Sequence, residues 1–120
     1  MYYNNEMTNL SKEIDNMYLV DQSVRRDLSS LPPNEFKKFK YVVYTVDEVH
    51  HLRLLNLAKI HGLPTNKSVS KDTLTKFHVL ILHQDEHPEF QKECAEQCSF
   101  SESDKNQILE RISNSSRQLV

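Results

Sequence analysis

Asp21 stands where an apolar residue is expected. Met7, Leu10, Ile14, Met17, Val24 and Leu28 recur every three or four positions, which marks one helical face, and the position that this stripe skips is Asp21. Arg25 follows one turn later on the same face, a favourable Asp–Arg helical pair. A carboxylate buried there has to be hydrogen-bonded, because an unpaired buried charge is strongly destabilising; the plainer reading leaves Asp21 at a helix end or in a wet groove. His50 repeats the anomaly on a face formed by Phe36, Phe39, Val43, Val46, Leu54, Leu57 and Ile60, with Asp47 one turn before it. A lone histidine on such a face is either a satisfied core residue or part of a site. His83 is the third case, closing the most apolar stretch of the chain, Ser70 to His83. Carboxylate, guanidinium and imidazole groups turned inward can grip an anion, orient a general base or stabilise developing negative charge.

Helices must position these groups. One glycine in 120 residues argues against an all-β fold or a phosphate loop, both of which need positive-φ positions. The run SSLPP at Ser29–Pro33 stops the first helix, and Asn34 can cap a second that begins near Glu35. YVVYTV at Tyr41–Val46 is strand-like by propensity, but helical spacing runs through it from Phe36 to Ile60. Gly62, followed by Leu63 and Pro64, supplies the positive-φ residue that ends this helix. A third helix is predicted from Ser70, its cap, to about Asp85, with Asp72 in its first turn and Val69 stapling onto Leu74. Phe77, Val79, Leu80, Ile81 and Leu82 make it apolar most of the way round, so it is covered on several sides. Pro88 opens a fourth helix carrying Phe90, Cys94 and Cys98. Ser101 and Asp104 form a capping box for a short fifth with Ile108, Leu109 and Ile112, and the polar tail 113–120 is expected to fray. The expectation is an all-α fold, one domain over residues 1–120, a bundle of four to five helices. The heptad-like stripe of the first helix packs within the bundle or against a second copy, so a homo-oligomer stays open.

Composition narrows the partners. With 15 basic and 17 acidic residues the net charge of −2 lacks the electrostatic footprint of a nucleic-acid binder, and Lys37, Lys38 and Lys40 read as a solvated face. No run of eighteen apolar residues exists to span a membrane, and MYYNNEMTNLSKE is not a signal peptide, so a cytoplasmic location is expected. Cys94 and Cys98, four apart, could share a metal but have no further ligands to complete a site, and packed free thiols are the preferred reading. His83 and His87 could share a helix face, but Pro88 marks a boundary there. No metal and no cofactor are expected.

The landmarks Asp21-Gln22 with Arg25, Gly62-Leu63-Pro64, Val69-Ser70, Leu82-His83, Glu110-Arg111 and Gln118-Leu119 resemble, in order and spacing, an uncharacterised bacterial domain-of-unknown-function family (the 6624 type). Its pattern is DQxxR, GWP, VG before an apolar helix closing on QH, a DR pair and a YGTQ-like tail. The likeness covers most of the chain. Leu63 stands for the family's Trp, Ser70 for Gly, Leu82 for Gln and Glu110 for Asp, and the sequence stops before YGTQ. The resemblance implies a helical fold with a shared polar centre, to which it adds Gln22, Glu110 and Arg111, and implies no established activity.

Three functions follow. The preferred one is a non-catalytic binding protein whose helices bring Asp21, Gln22, Arg25, Asp47, His50, His83, Glu110 and Arg111 to a groove for a small anionic, nucleotide-like ligand or for a partner protein's polar side chain. An immunity factor or a sequesterer of a nucleotide signal in bacterial or phage conflict would be of this kind. The second is a hydrolase or transferase with His83 as acid or base, Asp21 or Glu110 orienting it, and Arg25 or Arg111 on developing charge. No nucleophile elbow or metal-ligand motif accompanies it. The third is a helical interaction module without a pocket, in which Asp21 and Arg25 are a buried structural pair.

Overall fold

The structure is a computed structural model that describes the backbone of residues 2–118 and the side chains of residues 9–37 and 39–114. Its elements are α1 (Tyr2–Ser29), α2 (Pro33–His61), α3 (Lys71–Leu82), α4 (Pro88–Gln97) and α5 (Glu102–Gln118), with no strand among the described residues. The all-helical expectation holds. Among the described residues no helix is long and apolar enough to cross a membrane.

α1 lies between α2 and α3, and α3 also meets α4 and α5, which pack on each other. The central position of α3 follows from its composition: Leu74, Phe77, Leu80 and Ile81 are buried, and Val79 and Leu82 are partly so. They pack with Leu10, Ile14 and Met17 of α1, Leu54 of α2, Phe90, Cys94 and Ala95 of α4 and Ile108 of α5. Leu10, Ile14, Met17 and Leu28 of the α1 stripe are therefore spent inside the molecule, and the side chain of Met7 lies outside the described residues. Cys94 and Cys98 are buried free thiols, and their mutual hydrogen bond, together with burial, pushes the Cys94 thiol far up, so it stays protonated.

The helix ends show the local causes. α1 and α2 are joined across Pro32 and Pro33, with Pro33 in the first turn of α2; the cap position is Pro32, not Asn34, because a fixed φ pre-organises a first turn without any side-chain hydrogen bond. Gly62 ends α2 at φ 76°, its N–H bonded to the Ala58 carbonyl at 2.8 Å. Ser70 Oγ accepts from the Thr73 N–H at 3.1 Å, and Ser101 Oγ from the Asp104 N–H at 3.1 Å, the two caps expected. α3 stops at Leu82, three residues early: the His83 and Gln84 N–H groups turn back onto the Leu80 and Ile81 carbonyls at 3.2 and 3.0 Å, and Gln91 Nε2 of α4 adds a donor to the Ile81 carbonyl at 2.9 Å. α5 runs on to Gln118 instead of ending before a frayed tail, and Leu119 lies outside the described residues.

The core face of α2 is also shorter than its spacing implies. A 29-residue helix extends roughly 43 Å, so its ends overhang the bundle. Phe36, Phe39 and Ile60 are exposed, as is Leu109 on α5, while Leu54 is buried.

Candidate functional site

The polar centre is built on Asp21, whose carboxylate has no exposed surface. Three donors satisfy it. The Nδ1–H of His83 lies 3.0 Å from each oxygen, Arg25 Nη1 donates at 2.5 Å, and Gln22 Nε2 donates at 2.9 Å. Arg25 extends the network to α2, where Nη2 reaches both Asp47 oxygens at 3.2 and 3.0 Å. One guanidinium thus serves two carboxylates, a use of the planar fork that a lysine could not reproduce.

The two carboxyls respond oppositely. Burial pushes Asp21 up, but the hydrogen bond and charge of His83, with Arg25 and Gln22, outweigh it and hold the group below the usual carboxylate range. At Asp47 burial prevails over Arg25, and the nearby charge of Asp21 adds to the rise. His50 is buried nearby, its Nδ1 without a hydrogen-bond partner among the described residues, and burial keeps its ring neutral against the pull of Asp21.

The early end of α3 gives the centre its second half. Residues 83–87 turn across the bundle, and each of four side chains grips a different neighbour. His83 holds Asp21 of α1. Gln84 accepts from His51 Nδ1–H at 3.0 Å and donates to the Asp47 carbonyl at 3.1 Å. Asp85 takes a bidentate pair from Arg111 of α5, 2.7 Å at both contacts. His87 Nε2–H donates to Glu48 at 2.9 Å, its ring stacked 3.4 Å from that of His51. Burial, and then the neighbouring His87, press His51 toward its neutral form.

The structure brings Asp21, Gln22, Arg25, Asp47, His50 and His83 together, and Arg111 borders them through Asp85. Glu110 is corrected: it is exposed on α5 and outside this network. At one register Arg111 turns toward the α3–α4 connector and its neighbour turns away, as a period of 3.6 requires. Sequence reasoning missed Gln84, His51, Glu48 and Asp85. Only the residues after His83 carried a signal, a polar run between an apolar helix and Pro88.

A groove of about 210 Å³ opens beside the centre, lined among others by Lys40, Tyr44, Asp47, Glu48, His83 and Gln84. A wider depression of about 450 Å³ shares Glu86 and His87 with it and adds Glu89 and Glu93. Arg25 and Arg111 are both occupied by carboxylates of the chain, and of Glu86, Glu89 and Glu93 none has an ion pair among the described residues. No group of three or more His, Cys, Asp or Glu among the described residues could hold a metal ion. Neither family models, curated proteins nor solved structures give a match to this chain.

Proposed function

We propose that the chain is a non-catalytic binding protein and that its groove and the adjoining depression receive basic side chains of a protein partner. The observation that carries this is the charge of the lining. The arginines that an anion would need are already paired internally, while Glu86, Glu89 and Glu93 face solvent around the His51–His87 stack. That balance favours a cationic partner over the small anionic ligand expected from residue types alone. Part of the lining is already fixed, since Asp47, Glu48, His83 and Gln84 are held by hydrogen bonds and lose little freedom on binding. The motif likeness to the domain-of-unknown-function family agrees with a shared polar centre and adds no activity.

Titration with lysine- and arginine-rich peptides, followed by NMR at the Tyr44, His83 and His87 rings, tests the proposal. Basic peptides should shift these signals in a salt-sensitive way, and Glu86→Gln with Glu89→Gln should weaken the effect. Shifts produced by nucleotides, with none from basic peptides, would reverse the assignment.

One observation favours a second reading. His83 uses Nδ1 on buried Asp21 and lines the groove, the orientation of an Asp–His general base. Tyr44 is the one hydroxyl among the residues that line the groove, so a water would have to serve as nucleophile. Turnover of an ester or phosphate substrate that disappears in His83→Gln would support this reading over the first.

A further inference from the structure

α2 has two apolar faces, and the fold uses one. His50, His51 and Leu54 are buried on the inner side, where α1 is the helix that α2 packs against most and Leu54 and His51 also reach the core and Phe90 of α4. On the opposite side Val42, Thr45, Val49, Leu52, Asn56 and Lys59 are all exposed, at alternating spacings of three and four. That is an a/d heptad seam, with Val42, Val49 and Asn56 at a and Thr45, Leu52 and Lys59 at d. Tyr41 and Leu55 flank it on one edge, and Ile60 on the other; Leu52, Tyr41 and Ile60 are 68%, 66% and 64% exposed.

We propose that this seam pairs with the same seam of a second copy, as a parallel, in-register two-stranded coiled coil. Charge complementarity selects the occupant and its direction. In a parallel pair each g residue meets the e residue of the next heptad, which sets Glu48 of one copy opposite Arg53 of the other, twice by symmetry. The remaining flanking pairs are apolar, Tyr41 with Val46 and Leu55 with Ile60. Antiparallel pairing matches neither charge with its opposite. Val42 and Val49 at a with Leu52 at the d position after them are the combination that favours two strands, and Asn56 opposite its own copy is the buried amide pair that fixes register. Glu48 and Arg53 also contact His87 and Glu13 within the chain, so the intermolecular contact adds to bonds that already hold both side chains in place.

The area suffices. From Val42 to Ile60 the seam rises about 27 Å, and the exposed side chains offer on the order of 500 Å² per copy, near the roughly 1,000 Å² that a specific interface needs. The core side of α2 lies diametrically opposite the seam, which directs the two bundles away from the pair. Lys59 closes the seam, where its ammonium can reach water.

Sedimentation equilibrium of the full chain tests this. A dimer should form in the micromolar range, and Val49→Glu with Leu52→Glu should raise its Kd by roughly a hundredfold while circular dichroism stays unchanged, since both residues are exposed. Asn56→Cys should form an interchain disulfide on mild oxidation, with buried Cys94 and Cys98 not competing. A chain monomeric at its highest soluble concentration overturns the proposal, as does a dimer indifferent to the double charge substitution. A dimer in which Asn56→Cys fails to crosslink overturns the parallel register.

Discussion

Replacing Asp21 by Asn tests whether the buried carboxylate holds the bundle together. Asn keeps the shape but offers one acceptor oxygen in place of two, and its amide must point a donor at either His83 Nδ1–H or Arg25. Two charge-assisted hydrogen bonds are weakened, each worth about 1.5–3 kcal/mol, but Arg25 is partly exposed and keeps Asp47, which reduces its share. The expected loss is about 2–4 kcal/mol, below the full penalty for stranding a buried charge because His83 retains access to the groove. For a chain of this length that lowers Tm by roughly 8–16 °C. Thermal unfolding by circular dichroism measures it, and a cycle with His83→Ala should give a coupling of at least about 1 kcal/mol. A shift under about 3 °C, or additive single effects, would refute the claim that the Asp21 network spans the helices energetically.

Stability should fall as pH drops from about 7.5 to about 5.5, because burial depresses the folded pKa of His50, His51 and His78 below the ordinary 6.5, so the unfolded chain takes up protons that the fold refuses. Urea midpoints across that range check the sign, and His78→Asn should flatten the curve. Asp21, held low, keeps its contribution above about pH 4 and loses it only as pH falls through the folded value, so its effect appears in a separate, more acidic window. Gln91→Ala should cost about 1 kcal/mol by removing one of two donors on the Ile81 carbonyl, which keeps the Gln84 N–H, with faster amide exchange at the end of α3. Gly62→Ala should cost about 1–3 kcal/mol from its backbone alone, φ 76° with ψ 172° being a conformation that other residues rarely adopt, since no atom lies within 4 Å of an added Cβ; a loss above about 4 kcal/mol would refute that account.

Much of the polar centre was legible because it broke a pattern. Asp21, His50 and His83 each sit where an apolar residue belongs, and periodicity alone turned them inward. Gln84, Gln91 and His51 are as deeply enclosed yet were unreadable, for they occur where polar residues are ordinary and are buried by segments distant in sequence. The end of α3 is unreadable for a related reason, since one of the donors on its last carbonyls comes from the next helix. α2 misled differently. Its apolar residues read as one continuous face, whereas Phe36, Phe39 and Ile60 are exposed, and the helical spacing of that face masks the second set of exposed residues on the opposite side.

The five residues from His83 to His87 reverse the usual economy of a linker. Such turns normally absorb insertions, but here successive side chains clasp α1, α2 and α5, so adding or deleting one residue would rotate every grip away from its mate at once. A tag, a fluorophore or a circular-permutation break placed there would undo the molecule, whereas Asn66 and Lys67, exposed in the stretch before α3, offer a permissive place to cut or extend the chain.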